Sequence, residues 1–290
     1  MIQKYNWLDR NEYPFESNYL KQDNVQQHYI ESGTGEIILF VHGTPSWSFD
    51  FRNVIKVLSK NYRCIALDHI GFGLSDKPEN YDYSLANQIK NLTQFIEEKK
   101  LTNITLVIHD FGGPIGIEYA LNHPKNVKQL VVLNTWLGSS ENNPEFKKLK
   151  RILKSPLLPF LYLRLNFSAR FVMSSSFGLK KLTKKIKSQF IQPFSKKSER
   201  YGTLAFAKSL LNDQPFFETQ LNRFEKISSK PFLLIWGMKD KFVGKYYFDK
   251  FKAQLPNANT MKIESAGHFP QEEEPEIVAQ EIYKFLNKIK

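Results

Sequence analysis

The run "LVIHDFGGPIG" (residues 106–116) decides how the rest of the chain is read. An apolar stretch suited to a buried strand ends at Asp110, and a helical pattern begins almost at once. A strand that bends sharply into a helix needs small residues just beyond the bend, and Gly112 and Gly113 supply them. The side chain at such an apex is held clear of the backbone, free to react. Serine there would suit acyl transfer; a carboxylate asks for different chemistry.

Five other runs share the β-branched, apolar character of the first. They are "EIILFVH" (36–42), "RCIALD" (63–68), "LVVLN" (130–134), "FLLIW" (232–236) and "TMKIES" (260–265). Continuous apolarity over about five residues suits parallel strands covered on both faces. Helical patterns lie between them. "SLANQIKNLTQFIEEKK" opens with Ser84 as N-cap and sets Leu85, Ile89, Leu92 and Ile96 on one stripe. "GGPIGIEYALNHP" gives a short helix, and "PEIVAQEIYKFLNKIK" closes the chain as an amphipathic one. A weaker alternation in "VQQHYIES" reads as an antiparallel strand ahead of the parallel set. The fold class is therefore α/β, a mostly parallel, doubly wound sheet.

The alternation stops near Trp136 and resumes at Phe232. The residues between are helical in pattern and rich in Lys and Phe, without a clear strand. They read as a helical cap over the carboxyl ends of the strands, where open sheets bind ligands. The expected division is a core of residues 1–136 and 226–290, with the cap inserted at 137–225.

Charge follows the same division. The chain of 290 residues carries a net +12. Residues 142–200 hold 15 Lys/Arg against only Glu145 and Glu199, a net +13, so the other 231 residues sum to −1. In "FKKLKRILKSPLLPFLYLRLNF" (146–167) the cations alternate with Leu and Phe. One reading is a solvated basic face over an apolar tunnel lining. The other is weak attraction to anionic membrane or to an acidic substrate. Nucleic acid is not expected, because the charge sits on no recognisable module. "PLLPFLYLRLNF" is too short, and too broken by Pro159 and Arg164, to span a bilayer. Cys64 is the sole cysteine and the first residues lack a secretory h-region, so a cytoplasmic protein is expected. No His/Cys/Asp cluster has metal-ligand spacing and no Gly-rich phosphate loop occurs; no cofactor is implied.

Three chemistry-bearing residues fall at strand ends in the order Asp110, Asp240, His268, within "IHDFGG", "WGMKDKFVG" and "SAGHFPQEEEP". Nucleophile, then acid, then histidine is a triad order with a known fold behind it. With these stand "HGTPSWSFDFR" (42–52) and "DHIGFGLSDKP" (68–78). Five ordered blocks at this spacing resemble the haloalkane dehalogenase family of the α/β-hydrolases, over all but the first few residues and much of the cap.

The resemblance implies a covalent route. Asp110 would displace a leaving group from sp³ carbon to give an alkyl ester, and His268 would activate water against that ester while Asp240 orients the imidazole. Backbone N–H groups of Thr44 and Phe111 would hold the oxyanion. The substrate would be a small apolar organic molecule, with water as co-substrate. Family members hold the departing halide with side-chain N–H donors, commonly a Trp directly after the nucleophile and an Asn, Glu or Trp elsewhere. Here Phe111 and Thr44 occupy two of those positions, which leaves Trp136 and Trp47 as indole candidates. An epoxide or other strained ring is the alternative substrate, with Tyr162 and Tyr201 as proton donors. A non-catalytic membrane-surface or ligand-sensing protein on the same fold is the reading from outside enzymology. His42, His109 and His123 read as structural. Oligomeric state is not legible.

Overall fold

The computed structural model describes residues 5–288, with Pro144, Glu145 and Lys148 described by backbone alone. Eight strands form one sheet: β1 (Asn18–Gln22), β2 (Val25–Ser32), β3 (Ile37–Val41), β4 (Arg63–Leu67), β5 (Ile104–His109), β6 (Val127–Leu133), β7 (Phe232–Gly237) and β8 (Asn259–Ile263). Their spatial order is β1-β2-β4-β3-β5-β6-β7-β8. From β4 onward neighbours are parallel, while β2 runs antiparallel to both β1 and β4. All six apolar runs and "VQQHYIES" are strands as read. β1 escaped the reading because "NYLKQ" is a half-exposed edge strand whose polar side chains make no apolar run. β6 begins three residues earlier than its apolar run, at Val127. Its polar start is sustained by the buried Gln129 amide, which donates to Thr105 Oγ1 (3.0 Å).

Alternate residues of the central strands feed two separate cores. Leu39, Val41, Leu106 and Ile108 pack with the helices α2 (Leu85–Glu98) and α3 (Gly112–Asn122). Ile38, Phe40 and Val107 pack on the other face, against α1 (Arg52–Leu58) and the C-terminal helix Pro275–Asn287. The period-2 alternation of a strand places successive side chains on opposite faces, and helices cover both. Ser84 caps α2 as its sequence implies, its hydroxyl accepting from the Asn87 N–H (3.3 Å).

Between Leu133 and Phe232 the described residues hold helices and no strand. Among them are α4 (Pro144–Leu153) and α5 (Leu158–Leu165), then Lys184–Ile191, Tyr201–Asn212 and Gln214–Arg223. This segment is fastened at the carboxyl ends of the strands. Ser176 O accepts from the His268 N–H beyond β8 (2.8 Å), and Gln189 O accepts from the Trp47 indole beyond β3 (3.1 Å). Among the described residues no helix is long and apolar enough to cross a membrane.

Candidate active site

The bend after β5 is as tight as its glycines require. Asp110 has φ +51°, the left-handed region that an L side chain adopts only when its surroundings impose it. The imposing contacts are visible. A Cβ on Gly113 would lie 1.8 Å from Thr135 Oγ1, and that hydroxyl donates to the Asp110 carbonyl (2.6 Å). On the facing loop, a Cβ on Gly43 would lie 2.0 Å from Asp110 Oδ1, so only glycine lets the two loops approach. The reward of that approach is a hydrogen bond from the Thr44 N–H to Asp110 Oδ1 (2.7 Å).

The other carboxylate oxygen faces the histidine. His268 Nε2 stands 3.3 Å from Asp110 Oδ2, and its Nδ1 stands 2.7 Å from Asp240 Oδ2. Asp240 follows β7 and is held from four directions. Its Oδ1 accepts from the N–H groups of Phe242 (2.8 Å) and Val243 (3.1 Å), and its Oδ2 from the Asn134 amide (2.9 Å) as well as from His268. The His109 ring, directly before the nucleophile, meets the His268 carbonyl through Nε2 (2.7 Å), which fits the structural reading of that histidine.

Electrostatics make this an ion-pair chain. Burial alone would strip His268 of its proton, but the Asp240 and Asp110 carboxylates outweigh burial and hold its pKa up at about 10. Burial likewise opposes charge on Asp240, and the imidazolium with the two backbone N–H groups outweighs it, leaving that carboxyl below its ordinary range.

Above Asp110 opens a cavity of about 870 Å³. Its floor includes Thr44, Asp110, Asp240 and His268; its walls are mostly apolar, among them Phe146, Leu149, Phe167, Phe171 and Leu210 from the helical segment. Trp136 and Phe111 also line it. Phe111 stacks on Phe206 (4.4 Å between ring centroids) and meets Trp136 edge-on (4.8 Å, 87°), so the indole is wedged by aromatic neighbours. Two donors in this lining have no hydrogen-bond partner among the described residues although buried: Trp136 Nε1–H and the Thr44 hydroxyl. Tyr162 lines the same cavity. Burial pushes its phenol up to about 12, with the Asp110 charge adding to the effect, so it keeps its proton near neutral pH.

Two sequence expectations are corrected here. Trp47 does not reach the cavity; its ring is fully buried against Tyr13 and Phe49, and its N–H is committed to Gln189 O. Tyr201 is not there either. It lines a separate surface pocket with Tyr83 and Lys208. On the helix Tyr201–Asn212 it precedes the cavity-lining Ala207 by six residues, which puts it about 240° round the helix axis. One contributor was missed. Asn134, at the end of the β6 run, both donates to Asp240 and accepts from the Gly237 N–H (2.8 Å), tying β6 to the loop that carries the acid. Its signal was positional: a polar side chain ending a buried parallel strand beside the nucleophile's strand.

Comparison with known proteins agrees with this geometry. Residues 36–275 match the α/β-hydrolase fold family model. A cis-3-alkyl-4-alkyloxetan-2-one decarboxylase of Shewanella oneidensis is 34% identical over 95% of this chain and 89% of its own length. Haloalkane dehalogenase 2 of Mycobacterium tuberculosis is 30% identical over 93% of this chain and 94% of its own. Among solved structures, the haloalkane dehalogenase DbeA from Bradyrhizobium elkani superposes with a TM-score of 0.86 over 95% of this chain and 98% of that one, at 21% identity. Fold, strand-end residues and relatives converge: the chain is an enzyme of the α/β-hydrolase superfamily and belongs to its haloalkane dehalogenase family.

Proposed function

We infer that the enzyme cleaves a carbon–heteroatom bond of a small apolar molecule through an alkyl ester on Asp110, with haloalkanes as the substrate class. One observation carries the reading: a carboxylate fixed on a left-handed bend, beneath an apolar cavity, with His268 at 3.3 Å. In the first half-reaction an Asp110 oxygen attacks carbon, and halide departs with the bonding electrons. No proton is needed, which suits a His268 already charged by its two carboxylates. The ester then removes one of those carboxylates, so the imidazole gives up its proton more readily and becomes a base at the moment one is required. His268 takes a proton from water, water attacks the Asp110 carbonyl carbon, and the oxyanion forms where the Thr44 N–H already donates. Phe111 N–H, at the start of α3, is the second donor of this proposal. Breakdown frees alcohol and carboxylate, and halide and a proton complete the balance.

The departing anion needs donors. Trp136 Nε1–H and Thr44 Oγ1–H, buried in the lining and unpartnered, fill that role in place of the missing indole at position 111. The helical segment 137–225 acts as the cap that keeps water from competing there.

A second reading is favoured by the 34% relative and by Phe111, which offers no side-chain donor. An oxetan-2-one bearing two alkyl chains would be attacked by Asp110 at the sp³ ring carbon bonded to the ring oxygen, breaking that carbon–oxygen bond. The ring opens to a tethered carboxylate, which leaves as CO₂ while its electrons form the alkene and expel Asp110 unchanged. Water takes no part, and the same two donors would hold the carboxylate. An epoxide would use Tyr162 as its proton donor, without the second tyrosine that was expected.

A single turnover in heavy-oxygen water separates these. Halide release with label entering the Asp110 side chain supports dehalogenation. CO₂ and alkene from the oxetanone, with Asp110 unlabelled, reverse the order. Product formed from a haloalkane without label in Asp110 removes the ester altogether.

A further inference from the structure

We propose that the face formed by α4, α5 and the turns after them is a docking surface for anionic phospholipid membrane, placed so that the cavity mouth opens against the bilayer. Six of the eleven large hydrophobic residues exposed among the described residues lie in the segment 137–225: Ile152, Leu157, Phe160, Leu165, Phe171 and Leu179. Leu157 (63% exposed), Phe160 (55%) and Arg164 fall at i, i+3 and i+7, one stripe along α5. α4 and α5 are joined by residues 154–157 alone, so Ile152 stands close in the chain to that stripe.

Two of the six also place the mouth. Ile152 (52%) and Phe171 (56%) line the cavity while more than half exposed, so they form its open rim. An apolar rim in water is costly at roughly 25 cal/mol per Å². It becomes an asset when the rim rests among acyl chains and the substrate is delivered from them.

Charge names the occupant. Arg151, Lys154, Arg164 and Arg170 are exposed among these apolar residues, and among the described residues none is held in an ion pair. Residues 142–200 carry a net +13, more than the whole chain's +12. Cations interleaved with exposed Leu and Phe match a headgroup layer of negative phospholipid lying over hydrocarbon. The surface does not depend on which bond Asp110 breaks.

The test is co-sedimentation of the full-length protein with vesicles of phosphatidylcholine carrying graded amounts of phosphatidylglycerol. Binding should rise with phosphatidylglycerol and fall with salt, as headgroup attraction is screened. The pair Leu157→Ser with Phe160→Ser should weaken partitioning about tenfold or more, given the apolar area withdrawn. The pair Arg151→Glu with Arg164→Glu should abolish the dependence on phosphatidylglycerol. Thermal melting confirms that each variant is folded, and the two pairs fail by different physics. Absence of binding at low salt overturns the proposal, as does binding that neither pair alters. A dimer in sedimentation velocity that the serine pair dissolves, without vesicle binding, would assign the face to a second copy instead.

Discussion

The two sides of the cavity floor are built on opposite principles. On the side of Asp110 and Asp240 every carboxylate oxygen has a partner: Thr44 N–H and His268 on Asp110, and His268, Asn134, Phe242 and Val243 on Asp240. On the opposite side Trp136 Nε1–H and Thr44 Oγ1–H are buried without a hydrogen-bond partner among the described residues. Buried donors without acceptors each cost about 1–3 kcal/mol, a cost that a ligand anion would relieve. The first side is held in place by its partners; in the proposed reaction the second would receive the departing anion.

The strongest attack on that contrast is Asp110→Asn, which keeps the shape but removes the anion; turnover should fall by at least about 10⁴. Activity within tenfold of wild type would show that the fixed side is not the reacting one. His268→Ala should stop the cycle after its first half. Intact mass should then show an adduct on Asp110 equal to the substrate's alkyl group, with steady turnover down by about 10³ or more. An unmodified variant that still releases halide would break the division of labour between Asp110 and His268. Trp136→Phe removes one indole N–H and little volume. Halide release should slow by about 10²-fold, with chloride affected more than iodide, because losing one preorganised donor costs roughly 3 kcal/mol. Equal rates would mean that the unpartnered donor is idle.

The smallest effect is on stability. His268 is raised to about 10 from an ordinary value near 6.5. Its pairing therefore stabilises the fold fully below about pH 6.5 and is lost as pH climbs toward 10. Asp240, depressed below its ordinary 3.8, contributes above that value and loses its contribution on acidification. The Tm of the wild type should fall from pH 6.5 to 10 more steeply than that of His268→Ala; equal slopes would show that the pair adds nothing to stability.

The satisfied side was also the legible one. Asp110 directly follows β5, Asp240 follows β7 by three residues and His268 follows β8 by five, each within a distinct short block of sequence after a strand whose apolar run announces itself. The unsatisfied side was half legible. Trp136 follows β6 by three residues and was placed by that adjacency, whereas Trp47 follows β3 by six, far enough for its loop to turn the ring into the core. Tyr201 failed for a related reason: sequence gives a helix its periodicity but not its rotation about its own axis, and a turn of about 240° separates cavity from surface. Asn134 carries only a positional signal, as a polar side chain ending a buried run, because an amide that holds a carboxylate belongs to no motif.

Ser176 O accepts from the His268 N–H, and the Glu273 carboxylate bridges the N–H groups of Gly178 (2.8 Å) and Gly267 (2.7 Å). The helical segment is thereby stitched to the histidine's own loop at two points, Ser176 and Gly178. Grafting a cap from a relative, as a protein engineer would to change substrate range, must carry this seam intact. A chimera joined on the wrong side of residues 176–178 inherits a new chamber and a misaimed imidazole together.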